Sequence, residues 1–294
     1  MKIAKTFILI VIFSSSVVIA DGSGMPVGFG DNKYGQIDCP ILNLNNISCG
    51  RNHSVGITES GALIAWGDNS RGQTNVPAGT GYNAISAGGY HSVALKDGSP
   101  IAWGDNSKHQ TECDRFNYLI DVSAGLNFTV GRKFNGGLVA WGENNFGQID
   151  VPPGTGYKAI AAGAFHAVAI SSNGSLVAWG DGLDNKLKCP AGTNYTVIVA
   201  GVDHTMALKS DGTIIVWGLN SFGQLNTPKG SNYVAIAAGD FHNIALRDDM
   251  SVIAWGDSSR RKTSIPSGNN RIAISAGGKH SVLLTGNFQI FTPD

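Results

Sequence analysis

The tryptophans of this chain recur with a nearly constant period. Trp66, Trp103, Trp141, Trp179, Trp217 and Trp255 stand 37, 38, 38, 38 and 38 residues apart, each followed by glycine, and Phe29-Gly30 lies 37 residues before the first. A period of about 20–50 residues marks a supersecondary unit that needs its neighbours to bury its apolar face. A second series keeps step with the first. An Ala-Gly pair (Cys49-Gly50 in the first copy) is followed by two variable residues and then His53, His91, His166, His204, His242 or His280, with Phe128 in the third place. This lattice takes in all six tryptophans and six of the seven histidines. It runs through nearly all of residues 21–294, so it implies one domain.

One unit, starting at Tyr82, holds three apolar runs: Ala84–Ala87, Ser92–Leu95 and Ile101–Trp103. Each has the length of a strand and falls short of a helix. Asp97-Gly98, Asn173-Gly174 and Asp211-Gly212 sit between the second and third runs. Such pairs tolerate positive φ and predict two-residue hairpins. The segment after each Trp-Gly, such as Gly67–Gly81, is rich in Gly and Pro and reads as a connector loop. A lone hairpin sheet cannot bury both faces, so repeated three-stranded units are expected to radiate as blades around a channel. The pattern predicts an all-β, seven-bladed β-propeller with three main antiparallel strands per blade. At the C-terminus Ile272–Ser275, His280–Leu284 and Gln289–Phe291 read as strands. Val27–Phe29 looks like a third strand, expected to dock on the last blade and seal the ring. The 40 glycines among 294 residues and the 14% charged content fit many turns and strands buried between blades.

The unit AWGDNxxGQxxVPxGxxYxAIxAGxxHxxALxxDG resembles the regulator-of-chromosome-condensation repeat, a family of seven-bladed propellers, over residues 27–291. Its short unit and missing outer strand are similar to those of the secreted β-lactamase-inhibitory proteins of the second type, above all in Ala65–Gly79 and Ala87–Asn106. WD-type propellers fit less well, because Trp here precedes Gly and not Asp. The resemblance implies the fold. The family hosts nucleotide exchange, inhibition and scaffolding, so function has to be argued from sites.

No nucleophile elbow, phosphate loop or metal-ligand pair emerges from the sequence. Histidines placed once per blade are too dispersed for a tetrahedral metal site. They read as blade construction, each imidazole bonding backbone and packing on the next blade. The tryptophans read as packing between blades, and Asp31, Asp68, Asp105, Asp181 and Asp257, all just after the Trp-Gly or Phe-Gly glycine, as turn residues. Cys39, Cys113 and Cys189 take the apolar place of Val76 and Val151. Cys39 and Cys49 are the one pair close enough in sequence to bridge. The expectation is a non-enzyme with neither metal nor cofactor.

The variable pair inside the Ala-Gly-x-x-His turn must gather, copy by copy, on one face around the channel mouth. Its second place carries Tyr90, Phe165 and Phe241, on alternate blades, with Arg51, Asn52, Asp203 and Lys279 as a polar rim. Exposed aromatics rimmed by charge have the composition of interface hot spots. In the inhibitor branch the same turn supplies aromatics to the partner contact, so the resemblance implies these residues too. Tyr34, Phe146 and Phe222 in the connectors read as structural, and Arg260, Arg261 and Lys262 as a solvated loop. Sequons stand at Asn46, Asn52, Asn127, Asn173 and Asn194, and glycans on Asn52 and Asn127 would obstruct the proposed face.

Lys2 and Lys5, the apolar run Phe7–Phe13, and Val18 with Ala20 predict a signal peptide over residues 1–20, cleaved before Asp21. That run is too short to span a membrane. Zero net charge gives no pull toward nucleic acid or anionic lipid. The sequence thus points to a secreted, monomeric, non-enzymatic propeller that binds another protein, inhibition of a secreted enzyme being one version. The alternatives are a lectin-like or matrix scaffold and guanine-nucleotide exchange on a small GTPase. The leader and the lack of a long projecting insertion between blades speak against exchange.

Overall fold

Three antiparallel strands form in each repeat where the three apolar runs stand. The computed structural model describes residues 22–286 together with the backbone of Val11–Phe13 and Ser16–Val18. In the unit starting at Tyr82 the strands are Tyr82–Ala87, His91–Lys96 and Ser99–Gly104, paired in that order. Five such three-stranded sheets are separate, and an eight-stranded sheet contains two further sets. One set is Leu44–Cys49, His53–Thr58 and Leu63–Gly67. In the other, Arg271–Ala276 and His280–Gly286 are completed by Gly24–Gly30, which pairs continuously from Gly24 with Gly286 to Gly30 with His280. A single pair, Gly24 with Leu44, links the two sets. The architecture is an all-β propeller of three-stranded sheets, without an α-helix among the described residues.

The proposed strand Gln289–Phe291 lies outside the described residues, and Gly24–Gly30 holds the third place in that sheet. Within the predicted leader, Val11–Phe13 and Ser16–Val18 form a hairpin whose second strand pairs with Arg271–Ala276. The predicted cleavage point between Ala20 and Asp21 lies outside the described residues.

The hairpins differ from expectation in all but one place. At Asp97-Gly98 two residues turn the chain with φ of 51° and 74°, both left-handed as a type I′ turn needs. Elsewhere three residues intervene. Lys209 N–H donates to Thr213 O at 2.9 Å and Gly212 N–H to Lys209 O at 3.0 Å, a type I turn ended by a left-handed glycine. Asp211 Oδ1 and Asn173 Oδ1 each accept the N–H two residues on, so the acid or amide builds the turn from its middle.

The core lies between the sheets. Trp103 packs with Val55 and Ile57 of the preceding sheet, Trp179 with Phe128 and Val130, and Trp66 with Ile272, Val282 and Leu284. Each indole N–H also finds an acceptor in the connector that enters its sheet, as in Trp103 to Gln73 O at 2.9 Å. The tryptophans are therefore the inter-sheet packing residues the repeat implied.

The histidines also join sheet to sheet, but through side chains and not backbone as expected. His53 Nε2 meets Ser92 Oγ at 2.8 Å, His91 meets Thr129 Oγ1 at 2.9 Å, His204 meets Asn243 Oδ1 at 2.7 Å, and His280 meets Ser54 Oγ at 2.8 Å. Phe128, which has no such group, faces a repeat with Ala167 in that place. Polar or apolar, the pair changes together. Glycine makes the approach fit: a Cβ on Gly88 would lie 2.4 Å from Gly125 O of the next sheet and 2.5 Å from His91 Cε1.

Three outcomes follow from this packing. Gly88→Ala should destabilise the fold by about 2–3 kcal/mol in urea unfolding, since both obstructing groups are held in the core. Burial holds five of the ring histidines near pKa 3 and His204 near 4, against 6.5 unfolded. Their stabilising contribution is therefore complete above pH 6.5 and is lost as pH falls from there toward 3, at about 1.4 kcal/mol per histidine per pH unit. The double change His91→Phe with Thr129→Ala, copying Phe128 and Ala167, should keep the fold and reduce proton uptake on acid unfolding by one.

Candidate functional site: the channel mouth

Each inner strand ends in its Ala-Gly pair, and the ends converge on a cavity of about 290 Å³. Its floor is alanine and glycine, with Cys49 in one alanine place. Such a floor offers shape and mostly apolar surface, and its one thiol is that of Cys49, whose pKa burial pushes up to about 11. The first variable residue of each turn faces this cavity, which puts Arg51, Leu126, Ala164, Val202 and Asp240 in its wall. The second points outward, toward the connector loops.

The predicted partner residues separate accordingly. Phe165 and Phe241 are large enough to reach the wall, and Arg51 belongs to it. Tyr90 stands behind, half-buried, with the Arg51 guanidinium 5.8 Å from its ring centre. Asn52, Asp203 and Lys279 lie outside the wall, and Asp203 is held by Lys186 at 2.8 Å. Burial raises the carboxyl pKa of Asp240 above its ordinary value, a shift opposed by the charges of Arg51, Lys262 and Lys279.

Two connector aromatics complete the rim. Phe146 packs edge-on against Phe165 with centroids 5.3 Å apart, and Phe222 against Phe241 at 5.0 Å. Both connector rings are 49% exposed. The expectation that these aromatics are structural holds for their backbone only: the Phe146 and Phe222 N–H groups donate to the buried Gln148 and Gln224 side chains at 2.8 Å. The rings themselves belong to the face. A constant offset of 19 residues from Phe146 to Phe165 and from Phe222 to Phe241 is the signal that would have paired them. A second exposed apolar set, Tyr118, Ile120 and Phe134, lies at the opposite end of its sheet, where Tyr118 and Phe134 take places that are polar or glycine in the other repeats.

The regulator of chromosome condensation (RCC1) repeat matches residues 45–73, 119–148, 157–185, 196–224 and 233–261. The chain is an RCC1-repeat β-propeller. Among solved structures it is similar to Prp20p of Saccharomyces cerevisiae, at TM-score 0.78 and 14% identity over 92% of this chain and 94% of that one. It is also similar to the ectodomain of the Physcomitrella patens receptor kinase CR4, at 0.68 and 25% over 82% and 70%. The Arabidopsis thaliana receptor kinase ACR4 ectodomain gives 0.66 and 24% over 82% and 90%. No curated protein matches the sequence.

This RCC1-repeat chain departs from its own unit in two connectors. Gln36, Gln73, Gln110, Gln148 and Gln224 are fully buried, and their place is taken by buried Lys186 and Lys262. Lys186 Nζ bonds Asp181 at 2.6 Å and Asp203 at 2.8 Å, while Lys262 bonds Asp257. Burial alone would lower the Lys186 pKa, yet its two carboxylate partners raise it above the ordinary value. The basic cluster expected to be a solvated loop is thus divided. Arg260 is exposed and pairs with Asp31 at 3.1 Å, Arg261 is exposed, and Lys262 is inside. Asp68, Asp105, Asp181 and Asp257 each accept the N–H two residues on, as turn residues should.

The remaining expectations sort by burial. Asn46 is 4% exposed, so its sequon is closed in the folded chain. Asn52 and Asn127 are half-buried, and Asn127 Nδ2 donates to Glu143 at 3.1 Å. Asn173 and Asn194 are exposed at the end of the sheets away from the mouth. All four cysteines are free thiols, and burial pushes Cys39 to about 12 and Cys49 to about 11. Thiols so shifted are poor nucleophiles. Among the described residues no group of three His, Cys, Asp or Glu is placed to hold a metal ion, and no helix is long and apolar enough to cross a membrane.

The substituted lysine supplies a direct check. Lys186→Ala removes a buried ammonium from two half-buried carboxylates, Asp181 and Asp203, and should cost about 2 kcal/mol in urea unfolding. Lys186→Gln restores the side chain used at this place elsewhere and should cost well under half as much.

Proposed function

We propose that this RCC1-repeat propeller is a secreted, non-catalytic protein-binding module that engages another protein through the channel-mouth face. The observation that carries the reading is the pair of half-exposed aromatic contacts at the rim, Phe146 with Phe165 and Phe222 with Phe241. Exposed, preassembled aromatics beside an apolar cavity bury much area at little entropic cost, which is what hot spots do. In this reading the molecule is one closed ring of seven blades and acts as a monomer. The contacts from Cys49 N–H to Ser275 Oγ and from Ser54 to His280, which join the last sheet to the first, support closure. Prp20p, a structural neighbour, is described with its binding to Gsp1p and histones, which supports protein binding as a use of the fold. Inhibition of a secreted enzyme is one specific version of this reading.

The face is tested by alanine at Tyr90, Phe165 and Phe241, measured by calorimetry against a partner captured from the medium of the producing cells. Loss of well over 1 kcal/mol of binding free energy is expected at Phe165 and Phe241, and less at Tyr90, which stands back from the wall. Unchanged affinity in all three would refute the face. N-terminal sequencing of the exported chain should begin at Asp21.

A further inference from the structure

The mouth face is divided by charge as well as by shape. The connector position that carries Phe146 and Phe222 carries the exposed Asp184 in the repeat between them, next to Leu183, which is 67% exposed. Three consecutive repeats therefore present apolar, acidic and apolar groups in turn along one side of the mouth. On the Ala-Gly-x-x-His turns of the following repeats, Asp203 is held by Lys186 and Asp240 lies in the cavity wall. Lys186 is buried and already shared by Asp181 and Asp203, so it does not neutralise the exposed Asp184. Across the mouth the same connector position carries Arg260, Tyr34, Arg71 and Lys108, all exposed, and the three cations are each paired with a carboxylate, Arg260 with Asp31, Arg71 with Asp105 and Lys108 with Glu143. Asp184 is therefore the acidic contact this connector position offers a partner.

Resting on the mouth-face reading, we propose that the crescent Phe146–Asp184–Phe222 docks a segment of the partner protein in which a Lys or Arg is flanked on both sides by apolar side chains. The partner's cation meets Asp184, and its apolar neighbours cover the two ring pairs. Water is excluded around the ion pair, which strengthens it.

The test is selection of phage-displayed random dodecapeptides on the intact protein. Selected peptides should be enriched in Lys or Arg between apolar residues. A synthetic peptide from the pool should bind at least ~10-fold more weakly to Asp184→Lys, and to Phe146→Ala with Phe222→Ala, while Arg71→Glu changes affinity less than ~2-fold. Exchanging the peptide's basic residue for Gln should also weaken binding, by less than the charge reversal Asp184→Lys, and added salt should weaken the unaltered pair but not the Gln peptide. All the altered side chains are exposed, so circular dichroism of each variant should match the parent. Peptides that need both phenylalanines but show no basic preference, or that ignore Asp184→Lys, overturn this inference and leave the mouth face standing. Peptides that bind the double alanine variant unchanged count against the mouth face itself. A selection that returns no binding peptide overturns the crescent as a docking site.

Discussion

The structure depends on how closely one sheet approaches the next at the end of each inner strand. There a glycine without Cβ lets a histidine ring lie against the backbone, with the neighbouring sheet's carbonyl 2.4 Å from where a Cβ would stand at Gly88. The imidazole then reaches a hydroxyl or amide one sheet further on, so burial and hydrogen bonding are satisfied by the same side chain. A three-stranded sheet has too little apolar surface on its own. The close approach turns the sheets into shared cores, each completed by a tryptophan that packs backward onto the preceding unit.

The connector loops inherit their rigidity from the same contact. A buried Gln or Lys holds the loop from inside, and the next tryptophan's N–H bonds its backbone. With the loop pinned in this way, the residue two places before that Gln or Lys is left to face solvent without destabilising anything. Phe146, Asp184 and Phe222 occupy that place in succession, and the adjacent turn supplies Phe165 and Phe241. The proposed binding face is thus built at positions the scaffold does not need, on a backbone the scaffold holds in place. Preorganisation of this kind lowers the ordering cost of association.

The strands, their order within each unit and the role of the tryptophans were legible from period and apolar runs. So was the gathering of the variable turns on one face. The partner of each histidine was not, because a spacing of 38 shows that copies are equivalent without showing which atoms of adjacent copies meet. The exchange of His for Phe128 together with Ser or Thr for Ala167 was present in the residues, but its meaning needed the pairing. Lys262 sits in a run of three basic residues that reads as solvated, and Asn46 in a sequon that reads as exposed. Both are buried, since composition cannot report which side of a loop or strand faces a neighbour.

Period, glycine content and strand-length runs were enough to specify a repeated three-stranded unit and the face on which its variable turns collect. Those properties are local or follow from copying one local solution. Membership of the mouth is different in kind. Whether Tyr90 stands behind Arg51, whether Asp203 is free or held by Lys186, and whether Phe146 belongs to the rim all depend on contacts between repeats, set by the angle and spacing of adjacent sheets. The sequence marks which residues break the pattern, and the packing of sheet on sheet settles which of them come together at the mouth.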